Sequence, residues 1–210
     1  MYRVCFTALA IVALTLTSGS ALAGEGKWIE MFDGKTLKGW KANEAKNSFY
    51  VEDGAIVSHG QPRSHLFYVG DGKPFKNFEL TADIKTNHNS NAGLYFHTKY
   101  QEKGWPKYGF ECQINNTYKD PKKTASIYGV KNLLEPPAKD NEWFTMTIKV
   151  QGKTVTVGIN GKTVNEYTEP EGTKPGKNFT RVFDEGTFAI QAHDKGSIVR
   201  LKNLKVRRLP

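Results

Sequence analysis

The sequence predicts an all-β fold, an antiparallel sandwich or barrel, of which we favour a sandwich of two antiparallel sheets with one concave face. Segments of alternating apolar and polar residues follow one another through most of the 210-residue chain, as half-buried strands do. Asp53-Gly54 and Asn160-Gly161 are hairpin-turn dipeptides, and each separates two apolar segments. No window keeps a helical period, so packed antiparallel sheets are the architecture that the pattern favours.

The predicted strands extend from residue 48 to residue 206. The first two are short apolar pieces on either side of Asp53-Gly54, and the alternation is clearest in the segment 78–85. The further predicted strand segments are 92–100, 108–115, 144–150, 154–159 with its return to Tyr167, 187–193 and 197–206. Between them lie two irregular segments rich in Lys and Pro, 117–137 and 170–184. Long loops of this kind are frequent binding sites in compact sandwiches.

Residues 1–23 predict a secretory signal peptide. Met1-Tyr2-Arg3 is a positive start, residues 4–17 form an apolar run, and Ala21-Leu22-Ala23 is a small-residue cleavage site. The apolar run is short for a bilayer span, and no other run in the sequence is long enough to cross a membrane. We therefore expect an exported protein, periplasmic or secreted, with residues 24–210 as one domain and no membrane span after cleavage.

Charge and cysteine content narrow the function classes. Cleavage after Ala23 removes Arg3 and no acidic residue, which lowers the formal net charge from +9 to +8. The lysines are spread without an arginine-rich block, so we expect a solvated basic surface and no nucleic-acid partner. After cleavage Cys112 is the lone cysteine. It cannot form an intramolecular disulfide, and its neighbours predict a buried thiol.

The segment YGFECQINNT at 108–117 is the most informative in the chain. Its alternation predicts a strand with one apolar face, which includes Cys112. The opposite face would carry an acid followed by two amides, namely Glu111, Gln113 and Asn115. Such polar side chains are seldom found together in a hydrophobic core, and they are suited to bind the hydroxyl groups of a sugar in a cleft. Alternatively, Glu111 could be an ordinary solvent-facing strand residue.

Nine motifs occur in order along the chain. They are FDGKTLKGW at 32–40, YVEDGAIVS at 50–58, FELTADIK at 78–85, SNAGLYFHT at 90–98, YGFECQINN at 108–116, KTASIYGV at 123–130, EWFTMTIKVQG at 142–152, INGKTVNEYTE at 159–169 and FAIQAHDKGSIVRLKNLKV at 188–206. In number and order they resemble the 3-keto-disaccharide hydrolase domain family. The resemblance implies a concanavalin A-like jelly roll, export, and action on glycosides already oxidised to a ketone at the third carbon of the sugar.

The jelly roll that the resemblance implies is related in shape to the laminarinase-type glycosidases, whose catalytic strand carries Glu-x-Asp-x-x-Glu. That spacing falls on Glu111, Gln113 and Asn116 here, so amides replace two of the three acids. A retaining glycosidase needs two carboxyl groups about 5 Å apart, and this strand offers one. A 3-keto sugar needs less, because its ketone acidifies the neighbouring C–H and one base can start a β-elimination, after which water adds.

The chemistry implied by the resemblance predicts a site around Glu111. We expect Glu111 or His193 to be the catalytic base. The developing enolate would be stabilised in one of two ways. One is a divalent metal held by some of His97, Glu111 and His193, and the other is the pair of donors Lys123 and Tyr128. No metal-binding spacing is present in the sequence, so such a metal site would be assembled from different strands.

The histidines differ in their sequence contexts. Asp194 follows His193 and could orient its ring, as carboxylates orient histidines at many sites. His97 ends a predicted strand beside Tyr95, where a structural, hydrogen-bonded role fits as well as a ligand role. The other three histidines lie in turn-like contexts and are expected at the surface: His59, His65 and His88.

The predicted substrate-binding residues are polar or aromatic and lie on or beside the two key strands: Asn91, Tyr95, Trp105, Gln113, Asn115, Lys123 and Tyr128. Asn91 could donate to a sugar hydroxyl or cap a turn. Trp105, in the loop between the two strands, is expected to stack on a sugar ring. Trp40 and Trp143 are expected in the core. Carbohydrate, in particular a 3-keto-glycoside, is the expected partner.

Two other function classes fit the same residues. A non-catalytic glycan-binding module would use the same amides and aromatics, would bind unmodified sugars and would cleave none. A structural envelope protein predicts a flat outer face without a polar cleft. The sequence contains no nicotinamide-binding or flavin-binding motif, so an oxidoreductase elsewhere would have to supply a ketone.

Overall fold

A computed structural model of the chain describes Met1 and residues 26–210. The predicted signal peptide therefore lies outside the described residues, apart from Met1. Within 26–210 the chain forms thirteen strands and one three-residue 3-10 helix, Lys46–Ser48. The strands build two sheets in which neighbouring strands run antiparallel. This confirms the predicted all-β sandwich. No helix in the described part of the chain has the length and apolar character of a membrane span.

Numbered in chain order, the strands are β1 (Ile29–Glu30), β2 (Trp40–Ala42), β3 (Phe49–Glu52), β4 (Ala55–His59), β5 (Ser64–Tyr68), β6 (Phe78–Thr86), β7 (Ala92–Thr98), β8 (Phe110–Ile114), β9 (Phe144–Gln151), β10 (Thr154–Ile159), β11 (Lys162–Thr168), β12 (Thr187–Ala192) and β13 (Ile198–Arg208). The larger sheet has the order β11-β10-β9-β6-β13-β4-β3, and β1 pairs with β13. The smaller sheet has the order β2-β5-β12-β7-β8.

The core lies between the two sheets, and the alternation of the sequence explains why. In β6 every second residue is fully buried, so Phe78, Leu80 and Ile84 point inward while the residues between them are partly exposed. Each such side chain contributes about 1.5–3 kcal/mol by leaving water. The larger sheet therefore has one buried face and one solvated face.

The smaller sheet is covered on both faces. All seven residues of β7 are buried, because one face packs on the core and the other forms the floor of a cleft. β5 is likewise buried throughout, and so it lacks the alternation that reveals a half-buried strand. For that reason β5 was not predicted from the sequence, and His65 was expected at the surface. That placement is wrong, since His65 is fully buried.

The tryptophans expected in the core divide into two cases. Trp40 is buried, as predicted, and its indole N–H donates to the carbonyl of Met31 at 2.7 Å. Trp143 is 38% exposed, contrary to expectation. The ammonium groups of Lys85 and Lys202 lie 5.1 and 4.2 Å from its ring centroid. Trp143 is therefore covered by lysines on the outer face of the larger sheet.

Candidate active site

A cleft of about 540 Å³ opens over the outer face of the smaller sheet. Its floor and walls are mostly polar: Asn91, Tyr95, Glu111, Gln113, Tyr118, Asp120, Lys122, Tyr128, Gln191, His193 and Asp194. Trp105, Phe179 and Arg181 also line it. Glu111 and Gln113 of the predicted polar row thus face a pocket, whereas a purely structural role predicted a flat face.

The pairing of β8 with β7 sets the floor. Tyr95 lies opposite Glu111, and Gly93 lies opposite Gln113. Glu111 and Gln113 point into the cleft because the residues between them, such as Cys112, belong to the core. Cys112 is a free, fully buried cysteine, and burial raises the pKa of its thiol far above its ordinary value. It has no place in the cleft.

Glu111 is a half-buried carboxyl with neutral hydrogen-bond donors. The side-chain amide of Gln191 donates to Oε1 of Glu111 at 2.9 Å and to the hydroxyl of Tyr95 at 3.1 Å. Burial raises the pKa of Glu111 to about 7, although its hydrogen bonds with Tyr95 and Gln191 act in the opposite direction. A carboxyl with this pKa exchanges a proton near neutral pH, as a general base must.

Gly93 provides the space in which the Glu111 carboxyl lies. A Cβ at residue 93 would come within 2.3 Å of Oε1 and 2.8 Å of Cγ of Glu111. Any side chain at this position would therefore push the carboxyl away from Gln191. The sequence signal was present in the Asn-Ala-Gly motif, for which close approach of a ligand or backbone is one explanation. Here the group that approaches is a neighbouring side chain.

One wall holds His193 in place. Nδ1 of His193 lies 3.0 Å from Oδ2 of Asp194. Asn91 donates to the same carboxylate oxygen at 2.6 Å, and the Tyr118 hydroxyl donates to Oδ1 at 2.9 Å. Gln113 in turn donates to Oδ1 of Asn91 at 3.1 Å. The contact between Nδ1 and Asp194 directs the other ring nitrogen of His193 away from the carboxylate.

The opposite wall is a segment that extends the edge of β8. The backbone N–H of Tyr128 donates to the carbonyl of Glu111 at 2.9 Å, which fixes this segment beside the floor. The Tyr128 hydroxyl donates to Oδ2 of Asp120 at 2.9 Å. The Lys122 ammonium lies 3.4 Å from that hydroxyl and 3.6 Å from Oδ1 of Asp120. Burial and the hydrogen bond to Asp120 raise the pKa of Tyr128, so it remains a hydrogen-bond donor.

Trp105 forms the third side of the cleft. Its ring packs edge-on against His193, with centroids 4.7 Å apart, and against His65, at 5.3 Å. Gln101 fixes the loop by donating to the carbonyl of Trp105 at 2.8 Å and accepting from the N–H of Lys107 at 3.0 Å. Burial lowers the pKa of His65 to about 3, so this supporting ring is neutral at physiological pH.

His97 does not reach the cleft, so the structure does not bring together the three predicted metal ligands His97, Glu111 and His193. The φ of His97 is +54°, which interrupts the alternation of β7, and its ring packs against Phe78 with centroids 5.5 Å apart. Nε2 lies 2.8 Å from the carbonyl of Lys76, and Nδ1 accepts from the N–H of Asp184. Burial lowers the pKa of His97. In the described part of the chain, no three His, Cys, Asp or Glu side chains are grouped to hold a metal ion.

Lys123 and Asn115 were predicted to bind substrate, but neither lines the cleft. The Lys123 ammonium donates to the carbonyl of Tyr118 at 2.7 Å. The Asn115 amide is buried and donates to the carbonyls of Asp120 and Lys122, each at 2.9 Å. Both residues therefore hold the wall loop in shape. Lys122 is the lysine that faces the cleft.

The structure brings together most of the other predicted residues and adds several that the sequence analysis missed. The predicted residues that line the cleft are Asn91, Tyr95, Trp105, Glu111, Gln113, Tyr128 and His193. Gln191 was missed, although its spacing two residues before His193 was a usable signal. The loop residues Tyr118, Asp120, Lys122 and Arg181 gave no comparable signal, because long-range contacts set their positions.

Comparison with a family described as "3-keto-alpha-glucoside-1,2-lyase-like domain" gives a match over residues 27–207. The chain belongs to this family. A 3-keto-disaccharide hydrolase of Bacteroides thetaiotaomicron is 28% identical over 169 residues, which cover 67% of this chain and 58% of that protein. The chain therefore spans less than two thirds of that relative's length.

Solved structures support the fold of this family member. Two Parabacteroides distasonis proteins, provisionally named glycosyl hydrolases, superpose with TM-scores of 0.71 and 0.69 at 23% and 25% identity. The alignments cover 88% and 87% of this chain and 94% and 100% of theirs. A β-glucanase of Bacillus licheniformis has a TM-score of 0.57 at 12% identity, covering 90% of this chain and all of that one. These likenesses confirm the predicted concanavalin A-like jelly roll.

Proposed function

We propose that this protein is a carbohydrate-active enzyme that cleaves glycosides carrying a ketone at the third carbon of the sugar, by elimination followed by hydration. The observation that carries the proposal is Glu111. It is the one carboxyl on the strand floor, its pKa is about 7, and amides occupy the neighbouring positions of its face. The family and the name of the B. thetaiotaomicron relative support the class of substrate.

The first step is removal of a proton from the second carbon of the sugar. The ionised Glu111 carboxylate takes this proton, and the C–H electrons form a double bond to the third carbon, whose ketone oxygen becomes an enolate. Lys122 and Tyr128 face the cleft from the adjacent wall. The Lys122 ammonium is suited to stabilise the enolate oxygen. Tyr128, whose hydroxyl proton is donated to Asp120, accepts from Lys122 and holds it on this wall.

The second step releases the aglycone. The enolate electrons restore the ketone while a double bond forms between the first and second carbons and the bond from the first carbon to the glycosidic oxygen breaks. His193, positioned by Asp194, donates a proton to the departing oxygen. Water then adds across the new double bond: its hydroxide goes to the first carbon and its other proton returns to His193. The proton held by Glu111 goes to the second carbon, which gives net hydrolysis.

A double-displacement mechanism would need a second available carboxylate near Glu111. The other carboxylates that line the cleft are Asp120 and Asp194. Asp120 accepts from Tyr128 and pairs with Lys122. Asp194 likewise accepts from two side chains and contacts His193. Because both are engaged in positioning neighbours, the geometry favours chemistry that uses one base.

The test is an activity assay of residues 24–210 on a 3-keto-glucoside and on its unoxidised parent. We expect release of aglycone from the keto compound alone. An arm with EDTA tests whether a divalent metal takes part. Binding of both sugars without cleavage of either would contradict the proposal and support the rival function, a glycan-binding module.

We also propose that the protein acts outside the cytoplasm. The support is the sequence of residues 1–23, whose positive start, apolar run and small-residue site are typical of a signal peptide. Expression of the full chain followed by cell fractionation and N-terminal sequencing tests it. The expected mature N-terminus is Gly24, and retention of an uncleaved chain in the cytoplasm would contradict export.

A further inference from the structure

Arg181 contributes a positive charge to the cleft and forms no ion pair with a carboxylate of the described residues, although its charge acts through space to lower the pKa of Glu111. Its guanidinium lines the cleft and donates to the carbonyl of Gly129 at 3.4 Å. No Asp or Glu in 26–210 forms an ion pair with it. The other cleft carboxylates have their own partners, since Asp120 pairs with Lys122 and Asp194 contacts His193. An anion from outside the chain would therefore find Arg181 available.

The loop around Arg181 is held in place by hydrogen bonds to a distant segment of the chain. The preceding residue, Thr180, donates its N–H to the carbonyl of Lys107 at 2.9 Å and accepts from the N–H of Gly109 at 3.1 Å. Arg181 itself has a φ of +46°, in the left-handed region that a non-glycine residue seldom adopts. These contacts hold the side chain over the cleft.

Gly129 makes room for the guanidinium. A Cβ at residue 129 would lie 2.5 Å from Nη1 of Arg181. The φ of Gly129 is +69°, so the backbone there also favours glycine. The Phe179 ring centroid lies 5.5 Å from the guanidinium carbon. The guanidinium is therefore close both to a backbone position without a side chain and to an aromatic ring.

We propose that Arg181 forms a subsite for a carboxylate carried by the glycoside, so that acidic glycosides are the preferred substrates of this protein. A guanidinium offers two parallel N–H groups that match the two oxygens of a carboxylate, and the cleft partly removes both from water. The inference rests on the proposed function because it places a glycoside in this cleft. The carboxylate is either that of a uronic acid or that of an acidic aglycone.

The experiment measures binding of unoxidised ligands by calorimetry, so it requires no turnover. The probes are phenyl glucoside, phenyl glucuronide and 4-carboxyphenyl glucoside. We expect one of the two acidic probes to bind wild type about 10- to 100-fold more tightly than the neutral one. Arg181→Ala should remove that preference and leave the neutral probe within about threefold. Arg181→Lys, which keeps the charge and loses the fork, should retain only part of it.

A matched control is Lys177→Ala, which removes a cation from the same loop outside the cleft lining. It should keep the preference, and thermal melts should show that all variants fold. Equal binding of the three probes to wild type, or a preference that survives in Arg181→Ala, would overturn the inference. The inference would also be overturned if Arg181→Ala lost only the turnover of a neutral 3-keto-glucoside, because Arg181 would then stabilise the enolate. Failure of keto-glycoside cleavage with the preference intact would contradict the proposed function alone.

Discussion

Glu111 and Asp194 are carboxylates of the same cleft, and their surroundings differ. Glu111 lies on the floor, where burial raises its pKa to about 7 and its hydrogen-bond partners, Gln191 and Tyr95, are neutral. Asp194 lies in the loop after β12, where it accepts from two neutral side chains and also contacts His193. Glu111 can therefore take up a proton near neutral pH. The oxygens of Asp194 are occupied by hydrogen-bond donors and by the contact that orients the His193 ring.

The difference shows how two carboxylates of one cleft can have different roles, one as a base and one as a positioning group. Desolvation, which outweighs the hydrogen bonds of Glu111 and the more distant charge of Arg181, destabilises the ionised form of Glu111 and so makes it a base at neutral pH. A carboxylate whose oxygens are already filled by donors is a poor base but a good positioning group for a histidine. The roles follow from the contacts rather than from the residue type.

Replacement of Glu111 should produce the largest effect. Glu111→Gln keeps the shape and an acceptor for Gln191 but removes the base, so we expect turnover of a 3-keto-glucoside to fall about 10²- to 10⁴-fold. Sugar binding should change little. The control is Glu102→Gln, which alters a carboxylate that is 74% exposed. Turnover that survives in Glu111→Gln would transfer the role of base to another group and remove the contrast with Asp194.

Gly93→Ala tests whether the position of the Glu111 carboxyl matters as well as its identity. The added methyl would lie 2.3 Å from Oε1 and displace the carboxyl from Gln191. A misplacement of this kind should lower kcat about 10²-fold without unfolding the protein. The matched control is Gly158→Ala in β10, where the nearest heavy atom to a Cβ is 3.6 Å away. Equal kinetics for the two variants would contradict the steric argument.

The pH dependence of kcat/KM should report the raised pKa of Glu111, which is about 7. The base must be ionised, so activity should fall about tenfold for each pH unit below that value. Initial rates on the 3-keto-glucoside between pH 4.5 and 8.5 measure this fall in activity, the acidic limb of the pH profile. A limb near the ordinary pKa of a glutamate, 4.5, would show that the floor does not desolvate Glu111.

Asp194→Asn should have a smaller effect than loss of Glu111, because Asp194 acts through His193. We expect kcat to fall about 10-fold while KM stays nearly constant. The double variant with His193→Ala should be no slower than His193→Ala alone, since the two residues act as one unit. Additive losses would show that Asp194 has a separate role in the cleft.

The floor of the cleft could be predicted from the sequence for a physical reason. Strand alternation is a local property, so the pattern of residues 110–114 was sufficient to separate Glu111 and Gln113 from the core residue Cys112. His97 shows the limit of that rule, because a positive φ at the end of β7 turns its ring into the core. Composition does not reveal a backbone irregularity of that kind.

The walls could not be predicted from local pattern. Lys122 and Lys123 are adjacent and chemically identical, and only the folded loop determines that Lys122 faces the cleft. Arg181 reaches the cleft through hydrogen bonds of Thr180 to a loop more than seventy residues earlier in the chain. Contacts between distant segments, which no short window of sequence contains, decide both positions.

Replacing each carboxylate should change the free energy of unfolding in opposite directions, and these are the smallest effects that we predict. The pKa of Glu111 rises on folding from 4.5 to about 7, so within that window the folded state binds more protons than the unfolded state. Stability therefore falls as pH rises through it, and the loss is complete above pH 7. Glu111→Gln should raise the free energy of unfolding by about 1–3 kcal/mol at pH 8 and by nearly nothing at pH 4.5.

Asp194→Asn should instead lower the free energy of unfolding at pH 8, by about 1 kcal/mol, because it removes one of the two oxygens that accept from Asn91 and Tyr118. Urea titrations of both variants and of wild type at the two pH values measure these differences. A Glu111→Gln variant that is less stable than wild type at pH 8 would mean that the floor stabilises the ionised carboxylate. Glu111 and Asp194 would then have equivalent surroundings, and the division of roles between them would need another cause.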